Sequence, residues 1–136
     1  MKLGISLDAS TVETISRRKS LFLDTSVWNR LADCETEQAS RIEKKLKFLV
    51  AKEMLFCPLA MPTIMEVKKQ EGSSLGRTVA LMEELSLNVS FCDVETIFDC
   101  EVRAFVDYLV SGQYCPLTAK DVFGPSVHLL GRQQHI

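Results

Sequence analysis

The chain has 136 residues, of which 46% are hydrophobic and 25% are charged, a composition typical of a folded globular protein rather than a disordered one. Sixteen basic and eighteen acidic residues give a formal net charge of −2, so a nucleic-acid partner would need a local basic face. The sequence begins without an apolar run long enough for a signal peptide or a membrane span. We therefore expect one domain over residues 1–136, in the cytoplasm and without membrane contact.

The first predicted elements are a short helix and a buried strand. Asp8 or Ser10 can cap a helix that ends near Arg18. The apolar run 21–23 then predicts a buried strand that ends in Asp24, and the chain turns into a helix directly after it. In open α/β sheets, ligands bind outside the carboxyl ends of the parallel strands. Asp24 is therefore the first candidate for a functional carboxylate.

Helical and strand-like segments alternate through the middle of the chain. Apolar residues recur with helical spacing over residues 36–53, and residues 54–57 form a short apolar run. These patterns predict an amphipathic helix followed by a second buried strand. Two further helices are predicted, one from Pro62 to a stop at Gly72 and one from Ser73 or Ser74 to Leu85.

A third strand and a long helix complete the predicted order. Residues 88–92 form the strand, and from Val94 to Val110 the apolar positions recur with helical period until Gly112 ends the helix. Strands separated by helices require right-handed crossovers, which give a parallel sheet with helices on both faces. The predicted fold class is thus α/β, a three-layer αβα arrangement around a short parallel sheet.

The cysteines and histidines offer little chemistry. Five cysteines are an odd number, and none lies in a C-x-x-C pair or at metal-ligand spacing from a histidine, so we expect neither a disulfide framework nor structural zinc. Cys57 and Cys92 lie in apolar runs, where a thiol packs as a small hydrophobe. His128 and His135 have no spaced acidic partner that would indicate a metal site or a triad.

A second acid occupies a place comparable to that of Asp24. Glu66 lies in the helix predicted after the second strand, so both carboxylates reach one crevice if the two strands pair side by side. Clustered carboxylates repel each other unless a cation separates them, and oxygen ligands select hard ions such as Mg²⁺ or Mn²⁺. Each acid also has a structural alternative. Asp24 can cap the following helix, and Glu66 can be a carboxylate favoured near a helix start or a partner of Lys69 or Gln70.

Two segments resemble the acidic motifs of PIN-domain ribonucleases, a family that includes toxins of the VapC type. Residues 21–31, LFLDTSVWNRL, resemble the opening motif, and residues 61–67, MPTIMEV, resemble the second one. The resemblance implies that Asp24 and Glu66 hold the metal, that Ser26 orients Asp24 or a metal-bound water, and that Asp121 supplies a third acid. It further implies hydrolysis of RNA phosphodiesters with Mg²⁺ or Mn²⁺, with an antitoxin or another protein among the expected partners.

The sequence departs from the family's pattern after the long helix. Gly124-Pro125 follows Asp121 where the family has a continuous helix, which can displace this acid from the site. No residue matches the family's fourth acid, and its last strands are not matched before Ile136. In the family the first strand is central, so we expect an unpaired strand edge here. A partner chain, a swapped segment, residues from Gln113 onward or Lys2–Leu7 would have to cover it, unless residues 1–136 are the front part of a longer domain.

Two function classes therefore stay open. One is a PIN-like, metal-dependent ribonuclease whose site is incomplete. The other is a non-catalytic PIN-like module that binds a partner protein or forms a homodimer through the open sheet edge. A phosphoryl-transfer hydrolase of the haloacid dehalogenase type also begins with a strand that ends in Asp, but it expects Asp-x-Asp, and position 26 is Ser26.

Overall fold

A computed structural model describes residues 6–126 of the chain. Over that range the protein is mixed α/β and mostly helical, with 63% of its residues in helices. The elements in chain order are α1 (Ala9–Ser16), β1 (Lys19–Ser20), α2 (Thr25–Asp33), α3 (Glu37–Ala51), β2 (Leu55–Phe56), α4 (Met61–Lys68), α5 (Ser73–Ser86), β3 (Val89–Phe91), α6 (Val94–Ser111), α7 (Ala119–Val122) and β4 (Phe123–Pro125).

The strands form two pairs that a single bridge connects. β1 and β2 are parallel, with Ser20 opposite Phe56, so the condition under which Asp24 and Glu66 were expected to share a crevice, side-by-side pairing of the first two strands, is met by β1 and β2. β3 and β4 are antiparallel. A parallel bridge joins Leu59, just after β2, to Ser90 of β3, and the Phe91 amide donates to the Leu59 carbonyl at 2.8 Å. The order across the structure is therefore β1, β2, β3, β4.

Most of the core lies between the strands and helices α2 to α5. Trp28, Leu59, Ile64, Met82 and Leu85 are fully buried there, and all belong to one apolar cluster. α2 packs chiefly against α5. This packing fixes the start of α2, and hence Asp24, relative to the strands.

A second, smaller apolar cluster lies around Phe56. Ile15 of α1 and Val89 of β3 are buried with it, and Ala119 and Phe123 pack against the cluster. Successive side chains of a strand point to opposite sides, and the neighbours of Phe56 in the chain belong to the larger cluster. β2 consequently has apolar contacts on both sides.

The first strand is shorter and more exposed than the sequence predicts. β1 comprises Lys19 and Ser20, both exposed, and the side chains of Leu21 and Phe22 after it are exposed as well. Only Leu23 of the predicted strand is buried. The prediction of a buried strand over residues 21–23 is therefore wrong, because β1 lies at the end of the strand order and no described strand pairs with its outer edge.

The helix predicted from Pro62 to Gly72 is shorter in the structure. α4 ends at Lys68, and Gly72, with φ of +87°, precedes α5. The positive φ is a conformation that glycine adopts without a steric penalty. Glu66 therefore lies in the second turn of a two-turn helix rather than near its start.

The segment after Gln113 contains two elements that the sequence analysis did not predict, α7 and β4. The Cys92 amide donates to the Val122 carbonyl at 2.7 Å, and the Ser126 amide donates to the Asn88 carbonyl at 2.8 Å. Residues 113–126 thus cover the edge of β3 rather than that of β1, and the expectation of a purely parallel sheet without a further strand is corrected. Of the other candidate cover, Lys2–Leu7, residues 2–5 lie outside the described range, and Leu7 packs against the smaller apolar cluster around Phe56.

The long helix has its predicted position but not a buried face. α6 was expected over residues 94–110 and ends at Gly112, and none of its residues is buried. Phe98, Phe105 and Leu109 are 61%, 59% and 64% exposed. An apolar stripe normally marks the side of a helix that faces a core. Here it faces away from the rest of the described structure.

Candidate functional site

Asp24 lies where the first strand region gives way to α2. Its backbone is extended, with φ of −70° and ψ of 158°, and its carbonyl accepts the amides of Val27 and Trp28 at 3.0 and 3.1 Å. Asp24 thus occupies the N-cap position of α2, yet its side chain makes no capping hydrogen bond. The predicted alternative, that this carboxylate caps the helix, is not what the structure has.

The Asp24 carboxylate instead accepts the hydroxyl of Ser26, with Oγ to Oδ2 at 3.1 Å. Both residues are exposed. The arrangement is the one expected for Ser26 as a residue that orients Asp24. It leaves the other carboxylate oxygen, Oδ1, directed at no described donor.

The rest of α2 is held rigidly beneath this acid. Trp28 is 0% exposed, and Leu31 is buried one turn further on. The Thr78 hydroxyl of α5 is also buried and donates to Oδ1 of Asn29 at 3.1 Å. A helix anchored by an aromatic side chain and a cross-helix hydrogen bond has little freedom to reorient, so the position of Asp24 is well determined.

Glu66 is carried by α4, which contacts α2. Ile64 and Val67 on either side of it are almost fully buried, whereas Glu66 is exposed. Within the described residues its carboxylate has no ion pair with Lys69, the partner considered from the sequence. Glu66 is therefore an exposed acid on the helix that follows β2, one strand away from β1.

Asp121 is engaged in a local structure of its own. Its Oδ2 accepts the amide of Thr118 at 2.9 Å and the Thr118 hydroxyl at 3.1 Å, which forms a capping box at the start of α7. α7 leads directly into β4, which is three strand spacings from β1, or about 14 Å. The strand order thus separates Asp121 from Asp24.

The structure brings some of the predicted site residues together and not others. Ser26 contacts Asp24, whereas Asp24, Glu66 and Asp121 do not form a common group. Over residues 6–126, no group of three or more His, Cys, Asp or Glu side chains could hold a metal ion. His128 and His135 lie outside the described range.

The other aspartates at helix starts have structural partners. Asp8 accepts the Thr11 amide at 2.7 Å, and Asp93 accepts the Thr96 amide at 2.6 Å. The hydroxyl and amide of Thr96 hold the pKa of Asp93 below its ordinary value. Asp24 differs from both, since it is the one aspartate N-cap of the described helices whose carboxylate does not cap.

The cysteines give no sign of a nucleophile. Burial raises the pKa of the Cys57 thiol to about 11, so it stays protonated and packs in the core as predicted. The Cys34 thiol donates to Oε2 of Glu43 at 3.0 Å, and this bond to a carboxylate raises its pKa. Neither thiol has the basic surroundings that favour a thiolate.

Sequence reasoning missed a polar network that joins α2, α3 and α5. Arg77 donates to Asp33 at 2.9 Å, while Lys47 pairs with Glu43 at 2.6 Å and with Glu84 at 3.4 Å. Its members are partly exposed, and each base pairs with at least one acid, which is typical of ion pairs between packed helices. The Glu43–Lys47 pair has the spacing of one helical turn, whereas the pairs Asp33–Arg77 and Lys47–Glu84 join residues far apart in the chain and give no signal before the helices are placed.

Comparisons with models of protein families, with curated proteins and with solved structures gave no match. Among residues 6–126, no helix combines the length and the apolar character that crossing a membrane requires.

Proposed function

We propose that this chain is a PIN-like, metal-dependent ribonuclease that uses Mg²⁺ or Mn²⁺ to hydrolyse RNA phosphodiesters. One observation carries the proposal: Asp24 lies four residues after β1 and directly before α2, and its carboxylate is exposed, makes no capping bond and accepts the Ser26 hydroxyl. The position is the one at which α/β proteins bind ligands. The resemblance of residues 21–31 to the family's first motif gives the chemistry.

The available carboxylates fit a hard cation that is bound by few protein ligands, not one that a dense cluster of acids surrounds. Mg²⁺ is often bound by one or two carboxylates and completes its shell with water and substrate phosphate oxygens. Asp24 would provide the first oxygen ligand, and Glu66, exposed on the helix after the neighbouring strand, would provide the second. Asp121 is bonded within its own capping box, so we give it no ligand role in this proposal.

The chain's own residues would act by holding and orienting. The Ser26 hydroxyl keeps Oδ2 of Asp24 in one orientation, which leaves Oδ1 available outward. Trp28 and Asn29 fix α2 against α5, so the carboxylate does not move with its helix. When bound, a divalent ion would lower the pKa of a water molecule and neutralise charge on the phosphate.

The three-layer αβα arrangement is part of the same proposal. Phe56 lies in the apolar cluster that includes Ile15 of α1, whereas Leu55 and Cys57 pack with the cluster formed by α2 to α5. Opposite partners for alternate residues of one strand support helices on both faces of the sheet.

RNA cleavage by the purified chain tests the proposal. Single-stranded RNA is incubated with Mn²⁺ or with a chelator, using the parent chain, Asp24→Asn and Glu66→Gln. The Asp24 side chain makes no capping hydrogen bond and asparagine has nearly the same shape, so Asp24→Asn keeps α2 intact. We expect each variant to lose about 100-fold or more in rate, since even residues that only orient metal ligands contribute 10- to 100-fold.

The matched control is Asp107→Asn, an exposed acid on α6, which should cleave at the parent rate. A binding readout separates the metal site from the chemistry, because Mn²⁺ should raise the melting temperature of the parent but not that of Asp24→Asn. Equal rates in parent and Asp24→Asn, or no metal-dependent cleavage in either, would contradict the nuclease proposal.

A second candidate function is a non-catalytic module that associates through the outer edge of β1. The amides of Lys19 and Leu21 donate to carbonyls in the β2 segment at 3.0 Å, so those of Ser20 and Phe22 point away from it. No described strand receives them, and an edge of this kind can add a strand from another chain. Ser20→Pro removes an outward N–H and should abolish such association, whereas Ser20→Thr should retain it.

A further inference from the structure

The longest described helix presents an apolar seam that is largely exposed. Phe98, Val102, Phe105 and Leu109 are spaced by four, three and four residues, and these four side chains, called here the α6 seam, fall within about 60° of arc on the helix. All four are exposed. Alternating spacings of three and four residues are those with which two helices pack along each other.

The seam is large enough to matter. An aromatic side chain can bury 150–250 Å², so the exposed fractions of the seam, with Val106 and Tyr108 beside it, amount to about 600 Å². That equals the largest apolar patch of typical monomers, about 300–600 Å², and approaches the roughly 800 Å² that each partner contributes to a standard interface. Two such faces together reach the lower end of the range for specific complexes.

The seam is also complementary to itself. When two copies of α6 run antiparallel with their centres aligned, Phe98 of one copy lies opposite Leu109 of the other, and Val102 lies opposite Phe105. Each contact then pairs an aromatic ring with a smaller aliphatic side chain, which allows interdigitation without two rings in collision. The antiparallel arrangement also sets the two helix dipoles head to tail.

A groove next to the seam extends the same surface. It has a volume of about 460 Å³ and is lined by Glu101, Ala104, Phe105, Tyr108, Tyr114 and Leu117, so one carboxylate lies beside mostly apolar and aromatic side chains. Tyr114 is exposed, and the groove lies between α6 and the segment that leads to α7. A side chain from the facing helix can enter this groove, which gives the interface depth beyond a flat helix contact.

The charges on α6 weaken the pairing of two copies and make it depend on salt. Glu95 and Glu101 flank the seam, α6 contains no lysine, and its one arginine, Arg103, lies on the opposite side of the helix. Two copies therefore bring like charges to the rim of the contact, which costs binding energy at low ionic strength.

From the seam, its area and its self-complementarity, we propose that α6 is an interface between two copies of this chain, packed as an antiparallel helix pair. This surface is distinct from the Asp24 site and from the outer edge of β1, and the proposal does not depend on catalysis. A contact of about 1,200 Å² lies at the lower end of the range for specific complexes, so we expect a dimer that dissociates on dilution.

The molar mass of the full chain in solution tests the proposal. The molar mass measured by light scattering over a concentration series should rise from the 15.3 kDa of one chain towards twice that value. Added salt should shift this rise to lower protein concentration. Phe105→Glu places a charge in the seam and should give one-chain mass at every concentration. Val110→Glu, at an exposed position on another side of α6, should leave the doubling unchanged.

We expect each variant to stay folded, because Phe105 is exposed and its replacement leaves the core intact. Circular dichroism checks this. A folded parent that keeps one-chain mass throughout the series would overturn the proposal. A doubled mass that Phe105→Glu leaves unchanged would also overturn it, because the contact would then lie elsewhere. A doubling that added salt abolishes would do the same, because the contact would then be ionic.

Discussion

Two leucine truncations should differ strongly because one leucine lies in the core and the other in the α6 seam. Leu85 of α5 is 0% exposed, whereas Leu109 of α6 is 64% exposed. Leu85→Ala removes a fully buried side chain and leaves a cavity, which costs about 3 kcal/mol within the usual range of 2–5. Leu109→Ala in the single chain removes contacts that the side chain barely makes, and we expect a change within about 0.5 kcal/mol.

Thermal unfolding of dilute protein, followed by circular dichroism, measures both changes. For a chain of 136 residues, 3 kcal/mol corresponds to a fall of about 10 °C in melting temperature, while Leu109→Ala should stay within about 2 °C of the parent. Dilution matters, because an α6 pair would add stability that depends on concentration. Equal falls for the two variants in dilute solution would show that α6 is packed against the core and would refute the placement described above.

Three further predictions follow from the hydrogen bonds and pKa shifts. The pKa of Asp93 is lowered in the folded state, so the stabilisation that depends on its charge is present above its ordinary value of 3.8 and is lost as the pH falls through the folded value. Asp93→Ala should therefore cost about 1 kcal/mol near neutral pH and less in strong acid, as measured by urea unfolding. Iodoacetamide near pH 8 should modify the exposed Cys115 and leave Cys57 unmodified until the protein unfolds, as peptide mass spectrometry would record. Thr78→Val removes the donor to Asn29 and should lower the free energy of unfolding by about 1 kcal/mol. Thr78→Ser keeps the hydroxyl and should lower the free energy of unfolding by less.

Helix positions were predictable from the sequence where an apolar period coincided with clear end signals. The apolar period predicts a helix from Val94 to Val110 that Gly112 ends, and α6 ends one residue later than Val110, at Ser111. The helix predicted from Ser73 or Ser74 to Leu85 is α5, Ser73–Ser86. In both cases a Gly or Ser at the boundary and a sustained period supply local information, which is the kind that a sequence carries directly.

The strands were less predictable, because strand formation depends on partners distant in the chain. Residues 21–23 have the apolar character of a buried strand, yet β1 comprises only Lys19 and Ser20 at the outer end of the strand order. β4 has three residues and contains Gly124 and Pro125, which are poor strand formers. It forms because β3 offers an edge for it to pair with, and no local pattern encodes that.

Burial was the property that the sequence could not supply for α6. Its period of apolar residues is the same signal that identifies core helices such as α5. The signal specifies that one face avoids water but not what covers that face. Only the placement of the other elements distinguishes the buried Leu85 from the exposed Leu109.

The candidate site shows how structure separates aspartates that a sequence makes equivalent. Asp8, Asp24 and Asp93 each precede a helix, and each would serve as a cap by residue type. Asp8 and Asp93 accept an amide of the first turn, and the free energy of such a bond is typically about 1 kcal/mol. Asp24 forgoes that stabilisation although its backbone is already in the capping conformation, and its carboxylate bonds to Ser26 instead. Local rules are usually broken where a side chain has another task, so the uncapped carboxylate, more than its position in a motif, makes Asp24 the residue to mutate first.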